Sequence, residues 1–167
     1  MAAGLSLQEV QNMFEEGLIF IDPPADNRDA LLNLMGSLMQ EKGYAEAAFT
    51  QAVIKREEGY PTGLSTGCFN FAVPHTDACH VIKQAVAVAK LGRPVPFAAM
   101  GMEEGTVEAE YVFLLLLRND GAQVALLQKL MNMCSDEAVT ARLKKAQTPR
   151  EVYGIIREYY RETPPEA

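Results

Sequence analysis

Residues 111–117 read YVFLLLL, seven consecutive positions with neither a charge nor the polar alternation of a half-exposed strand. A membrane-spanning helix needs roughly 18 to 20 apolar residues, so a run of this length predicts one strand. A strand apolar at every position must be covered on both faces, which predicts a central strand with helices on either side. RNDGA, residues 118–122, then breaks the strand and opens a helical pattern.

The helices that such layers require are legible as stripes of 3.6-residue period. In RDALLNLMGSLMQEK, residues 28–42, the side chains of Leu31, Leu32, Leu34, Met35, Leu38 and Met39 keep to one side, and Gly43 supplies the stop. A second helix is expected over residues 44–58, with Ala45, Ala48, Phe49, Ala52 and Val53 inward and Gly59 and Pro61 at its end. Extending that stripe by three residues reaches Arg56. Its charge either finds an anion or a carbonyl there, or complements the helix dipole and reaches water. After the long strand, residues 122–134 form a helix with Val124, Leu127, Leu130, Met131 and Cys134 as the inward stripe and Gln123 opening it. A short helix over residues 136–145 precedes a last one with Thr148 as N-cap, Pro149 at the first helical position and Glu151 completing a capping box. The stripe of that last helix is Val152, Ile155, Ile156 and Tyr159.

Further strands are expected over residues 18–21, closed by Asp22, Pro23 and Pro24, and over residues 68–73, 85–91 and 97–100. The fold class is α/β with α+β character: a single-domain mixed parallel and antiparallel sheet of four to five strands, flanked by helices on both faces. One domain is expected over residues 1–167, with 1–5 and 162–167 frayed. A hydrophobic content of 49% is enough for one sizeable core. MAAGLSLQEVQNMF lacks the basic region and apolar block of a signal peptide, which predicts a cytoplasmic protein. Cys68, Cys79 and Cys134 have no CxxC spacing, so they read as free thiols in a reducing compartment and as bystanders to chemistry. The net charge of -7, without a basic block, argues against nucleic acid and against anionic membranes, and an acidic surface would steer a basic partner.

Both histidines of the chain fall within AVPHTDACH, residues 72–80. Pro74 cannot donate to a strand ladder, so FNFAV is expected to end there and lift His75 off the sheet at its ligand-binding rim. Three chemistries are compatible with the segment. His75 is a loop histidine bonded to backbone; or His75, Asp77, Cys79 and His80 hold a metal, although the spacing is neither HExxH nor a paired CxxC; or His75 is a nucleophilic imidazole. An imidazole titrates near neutrality, can attack phosphorus while neutral, and forms a phosphoramidate that remains a good donor. Phosphoryl transfer asks mainly for alignment and for positive or dipolar groups around three oxygens. The chain offers Arg56, the hydroxyls of Thr62 and Thr76, Gln123, and the free amides of the helix after residues 111–117.

KREEGYPTGLSTG, FAVPHTDACHV, AVAVAKLGRPVPF, YVFLLLLRNDGAQVALLQKLMNMCSD and AQTPREVYGII, in that order, resemble the EIIA domain of the bacterial sugar phosphotransferase system in its mannitol and fructose class. The resemblance covers roughly residues 18–160. It implies a phosphoryl carrier without a cofactor, in which His75 takes phosphate from the phosphocarrier protein HPr and passes it to a cysteine of an EIIB serving a membrane EIIC. It also implies that Arg56 sits beside the phosphate. Mannitol and fructose members carry a second histidine where this chain has Gln123; galactitol-type members are similar to this chain there, and also in a histidine placed like His80. A galactitol-like branch is therefore implied, with a regulatory EIIA-like binding module as the alternative role.

Overall fold

In the computed structural model, which describes residues 5–102 and 104–162, the run at 111–117 lies in the middle of a sheet. The strands among the described residues are β1 (Ile19–Ile21), β2 (Gly63–Ser65), β3 (Asn70–Ala72), β4 (Ala85–Ala98) and β5 (Thr106–Leu116), ordered β1-β4-β5-β3-β2. β1 is parallel to β4 and β3 is parallel to β5, whereas the β4–β5 and β2–β3 pairs are antiparallel. The helices are α1 (Leu7–Met13), α2 (Arg28–Glu41), α3 (Phe49–Gly59), α4 (Ala122–Cys134), α5 (Glu137–Lys145) and α6 (Pro149–Glu162). The expected mixed sheet with helices on both faces is thus present, with five strands.

Alternation along β5 explains its apolar run. Tyr111, Phe113 and Leu115 join Phe71, Val73, Val86 and Val88 in a core closed by α1, α4, α5 and α6. Val112, Leu114 and Leu116 point the other way, with Ala85, Ala87 and Ala89, into a second core under α2 and α3. Each fully buried Leu, Val or Phe contributes about 1.5–3 kcal/mol, so one strand anchors both layers. No helix among the described residues is long and apolar enough to cross a membrane.

The elements differ from expectation where distant segments meet. The strands expected over 85–91 and 97–100 are one strand, β4, whose register with β5 shifts between Lys90 and Val95. A bulge there accommodates Gly92 and Pro94, which otherwise read as a strand end. The helix expected from residue 44 begins at Phe49, because Ala45 bridges Val81 and the Tyr44 carbonyl accepts the Ile82 amide at 2.8 Å. Ala48 is consequently exposed. In α4 the buried row is Ala122, Leu126, Leu130, Met133 and Cys134; Val124 faces outward, and Leu127 and Met131 are half-buried. α1, capped by the Ser6 hydroxyl on the Glu9 amide, and β2 were not anticipated. In α6, Thr148 Oγ1 accepts the Glu151 amide as expected, and Tyr160 is buried in place of Tyr159. The fraying expected at 1–5 and 162–167 lies outside the described residues, apart from Leu5, which packs on the core, and Glu162, which ends α6.

Gly63 has a steric reason to be glycine. A Cβ there would stand 2.7 Å from the Ala98 carbonyl oxygen and 3.1 Å from that of Phe97. Gly63→Ala is expected to lower stability by about 1–3 kcal/mol, read as a lower denaturation midpoint with an unchanged slope.

Candidate functional site

β3 ends at Ala72, but Pro74 does not lift His75 off the sheet. Proline lacks an amide hydrogen yet keeps its carbonyl, and the Pro74 carbonyl accepts the Leu115 amide at 3.0 Å, leaving His75 bridged to Leu115 in parallel register. The Val73–Pro74 bond is trans. His75 therefore lies beside the end of β5, and α4 starts a short loop further on.

The imidazole is fixed through its own backbone. His75 Nδ1 lies 2.8 Å from the Val73 carbonyl oxygen. A carbonyl can only accept, so Nδ1 carries the proton and Nε2 keeps its in-plane lone pair. Burial, with the Arg56 charge adding to it, holds the His75 pKa below its ordinary 6.5, against the opposing pull of the Val73 hydrogen bond and of Asp77. Neutral imidazole is thus the form present at pH 7. A titration of the ring by NMR is expected to give a midpoint below 6.5. The folded state holds this proton more weakly than the unfolded chain does. Its contribution to stability is therefore complete above 6.5 and is lost as pH falls through the folded midpoint.

Arg56 is half-buried at the edge of α3, and the inward row continues from Val53 to Glu57, four residues on, rather than to Arg56. Its Nη1 lies 3.7 Å from Asp77 Oδ1, and its guanidinium sits 5.3 Å from the Tyr60 ring centroid. Its Nε is buried without a hydrogen-bond partner among the described residues. Such a donor suits an anion or water arriving from outside. The sequence reading missed Glu57, which is 2% exposed and accepts the Thr62 amide at 2.8 Å and the Thr62 hydroxyl at 2.8 Å. Burial pushes the Glu57 carboxyl up, while the Thr62 bonds and Arg28 act downward. Counting four rather than three residues from Val53 is the signal that would have found it.

His75, Arg56, Gln123 and Thr62 border one cavity of about 460 Å³. Gln123 is half-buried in the first turn of α4, where helix geometry leaves amides without intrahelical partners. Thr62 is buried, and its hydroxyl is taken by Glu57 and by the Val73 amide, which donates to Oγ1 at 3.2 Å. Thr76 is half-buried in the histidine loop and does not border the cavity. The mouth is apolar: Tyr60, Met102 and Val124 are 70%, 64% and 72% exposed. A ring of exposed large apolar groups around a polar centre has the character of a docking surface.

His80 lies in a 3-10 turn, Ala78–His80, away from the cavity, and its carbonyl accepts the Glu46 amide at 2.9 Å. Asp120, just ahead of α4, accepts the Ala78 amide at 2.8 Å and ties the histidine loop to that helix. Among the described residues, no group of three or more His, Cys, Asp and Glu side chains could hold a metal ion. The candidate ligands of residues 75–80 diverge: His75 borders the cavity, Asp77 faces Arg56 and Cys79 is exposed. The Cys134 thiol is buried, and burial pushes it up, so it is held as an unreactive thiol.

The family model described as "Phosphoenolpyruvate-dependent sugar phosphotransferase system, EIIA 2" matches residues 12–159. The galactitol-specific EIIA component of Escherichia coli is 29% identical over 120 residues, 71% of this chain and 76% of that protein. The transcriptional regulator ManR of Bacillus subtilis is 25% identical over 130 residues, 77% of this chain but 18% of the regulator. The crystal structure of IIA mannitol from Escherichia coli matches with a TM-score of 0.70 at 26% identity, covering 86% of this chain and 98% of that one. A complex of enzyme IIA mannitol with phosphorylated enzyme IIB mannitol from the same organism matches with a TM-score of 0.71 at 26% identity, covering 86% and 96%.

Proposed function

The chain belongs to the EIIA 2 family of the phosphoenolpyruvate-dependent sugar phosphotransferase system, and from that premise we propose that it carries a phosphoryl group on Nε2 of His75. The observation that carries the choice of atom is the Nδ1 hydrogen bond to Val73, which leaves Nε2 as the nucleophilic nitrogen. The Nε2 lone pair attacks phosphorus of an activated donor, HPr by the family resemblance. The new N–P bond forms as the donor's bond to phosphorus breaks and its electron pair returns to the donor. With the Nδ1 proton retained, the phosphorylated ring is cationic and departs as neutral imidazole when a thiolate of an EIIB attacks phosphorus. Similarity to the IIA partner in the complex with phosphorylated IIB mannitol supports an EIIB as the acceptor.

Charge on the three transferred oxygens calls for donors fixed in advance. Arg56, with a buried Nε that no described residue accepts, and the Gln123 side chain stand on the cavity wall for that purpose. Asp77 Oδ1 lies 3.7 Å from Arg56 Nη1, an ion pair at the protein surface. The apolar mouth of Tyr60, Met102 and Val124 is where the donor and acceptor proteins would seat in turn, and glutamine at position 123 supports a galactitol-like sugar or sugar alcohol at the end of the relay.

The test is incubation with phosphoenolpyruvate, Enzyme I and HPr, followed by detection of one acid-labile phosphate, and then addition of candidate EIIB proteins. Similarity to a transcriptional regulator supports a second role, a sensor of phosphorylation state. Uptake of phosphate without onward transfer to any EIIB would favour that role. Gln123→Ala is expected to slow uptake by about tenfold to a hundredfold, the value of one hydrogen bond to a charged group. Gln123→His is expected to keep much of the rate and to add a pH dependence near neutrality, because an imidazole titrates there and an amide does not.

A further inference from the structure

From the cavity wall, where Thr62, Val73 and His75 stand together, a chain of hydrogen bonds runs back into the protein to Glu57. Glu57 Oε1 accepts the Thr62 amide at 2.8 Å, and Oε2 accepts the Thr62 hydroxyl at 2.8 Å. Thr62 Oγ1 in turn accepts the Val73 amide at 3.2 Å, assisted by the Thr62 carbonyl at 3.3 Å. The Val73 carbonyl then accepts His75 Nδ1–H at 2.8 Å. Glu57 and Thr62 are 2% and 3% exposed, and Val73 is fully buried.

We infer that Glu57 and Thr62 are positioning residues for the phosphoryl acceptor: through Val73 they hold the carbonyl that keeps the His75 proton on Nδ1 and the lone pair on Nε2. The inference rests on the reading of His75 as the acceptor and adds a function for a carboxylate that the transfer step itself does not touch. The route is positional rather than electronic, because the Val73 amide and the Val73 carbonyl belong to successive peptide planes. What Thr62 fixes is the orientation of residue 73, and so the direction of its carbonyl. A hydroxyl suits the middle position because it donates to a carboxylate and accepts from an amide at once. Proline next to Val73 supports the same end by restricting that residue to extended conformations. Neither threonine expected to meet phosphate offers it a free hydroxyl: that of Thr62 is engaged by Glu57 and the Val73 amide, and Thr76 does not border the cavity.

The experiment compares Thr62→Val, Thr62→Ser and Glu57→Gln with the parent protein at equal folded fraction. Two quantities are read: the nitrogen-15 shifts of the His75 ring in the unphosphorylated protein, which report the tautomer, and the rate of phosphate uptake from phospho-HPr. The parent ring is expected to be in the Nδ1–H form. Thr62→Val is expected to admit the Nε2–H form and to slow uptake by about tenfold, in line with one net hydrogen bond. Thr62→Ser, which keeps the hydroxyl, is expected to restore the tautomer and to bring the rate within about twofold of the parent. A folded Thr62→Val protein with the parent tautomer, or equal slowing in Thr62→Ser, would overturn the inference. If Thr62→Val does not fold, Glu57→Gln decides: it keeps an acceptor without a charge and removes the burial cost of an ion, and it is expected to move the tautomer in the same direction by a smaller amount. An unchanged tautomer there overturns the inference equally. Continued labelling of His75→Ala would instead refute His75 as the acceptor while leaving the tautomer result intact, so the two failures are distinct.

Discussion

His75→Ala is expected to abolish acid-labile labelling by phospho-HPr, a loss of more than about a thousandfold, because among the described residues no other imidazole borders the cavity and a phosphate on the Tyr60 hydroxyl would be acid-stable. The remaining candidates fail on geometry or chemistry. Gln123 is an amide, the Thr62 hydroxyl is occupied, and Cys79 is exposed on the loop outside the cavity. The variant should stay folded, since the half-buried ring makes one described hydrogen bond, worth about 0.5–1.5 kcal/mol. Circular dichroism and a denaturation curve would establish that before labelling is compared. His80→Ala is the matching control. His80 contributes its backbone carbonyl to the pairing with residue 46 and lies outside the cavity, so labelling is expected to be normal. Loss of labelling in His80→Ala, with labelling retained in His75→Ala, would show that the acceptor had been assigned to the wrong histidine.

The next largest effect is expected at Arg56. Replacing it by alanine removes the one described cation bordering the cavity and should slow phosphate uptake by about a hundredfold to a thousandfold, as removal of a fixed donor does elsewhere. Arg56→Lys retains charge but loses the planar fork and the buried Nε, and about a tenfold to hundredfold loss is expected. The comparison separates two roles. If Arg56 serves only to pair with Asp77 and to cover Tyr60, lysine should serve nearly as well and Asp77→Asn should have the same effect as either variant. If it serves the transferred oxygens, the lysine variant stays slow, and raising the concentration of phospho-HPr does not recover the rate. A normal rate in Arg56→Lys would remove Arg56 from the site.

The errors in reading helices from the sequence share one origin. In α3, Phe49 and Val53 are buried as expected and Glu57, not Arg56, continues their row; in α4, Leu130 and Cys134 are buried as expected, but Leu126 faces the core where the stripe puts Val124. A mixed pattern such as QVALLQKLMNMC admits two adjacent stripes. Only the position of the helix against Phe71, Phe113 and Leu115 selects between them. The same ambiguity concealed Glu57, since a carboxylate is not expected on a buried face until the Thr62 amide and hydroxyl are seen to meet it.

What the sequence determined by itself is whatever is encoded within a few residues: the capping of α6 by Thr148, the exit from α2 at Gly43, and the central place of a strand with no polar face. The pairing of Pro74 with histidine, in order after RE and PTG, also singled out His75, because an ordered set of short motifs survives without coordinates. Tertiary structure alone decided the rest. The bridge between Ala45 and Val81 shortened α3, and the register shift between Lys90 and Val95 fused two strands into one. The carbonyl of Val73 holds the Nδ1 side of the His75 ring. These depend on groups that are distant in the chain or on the direction of a single peptide plane. A backbone amide or carbonyl is the same at every position, so its hydrogen-bond partner is chosen by the fold and is not written in the side chain that precedes it.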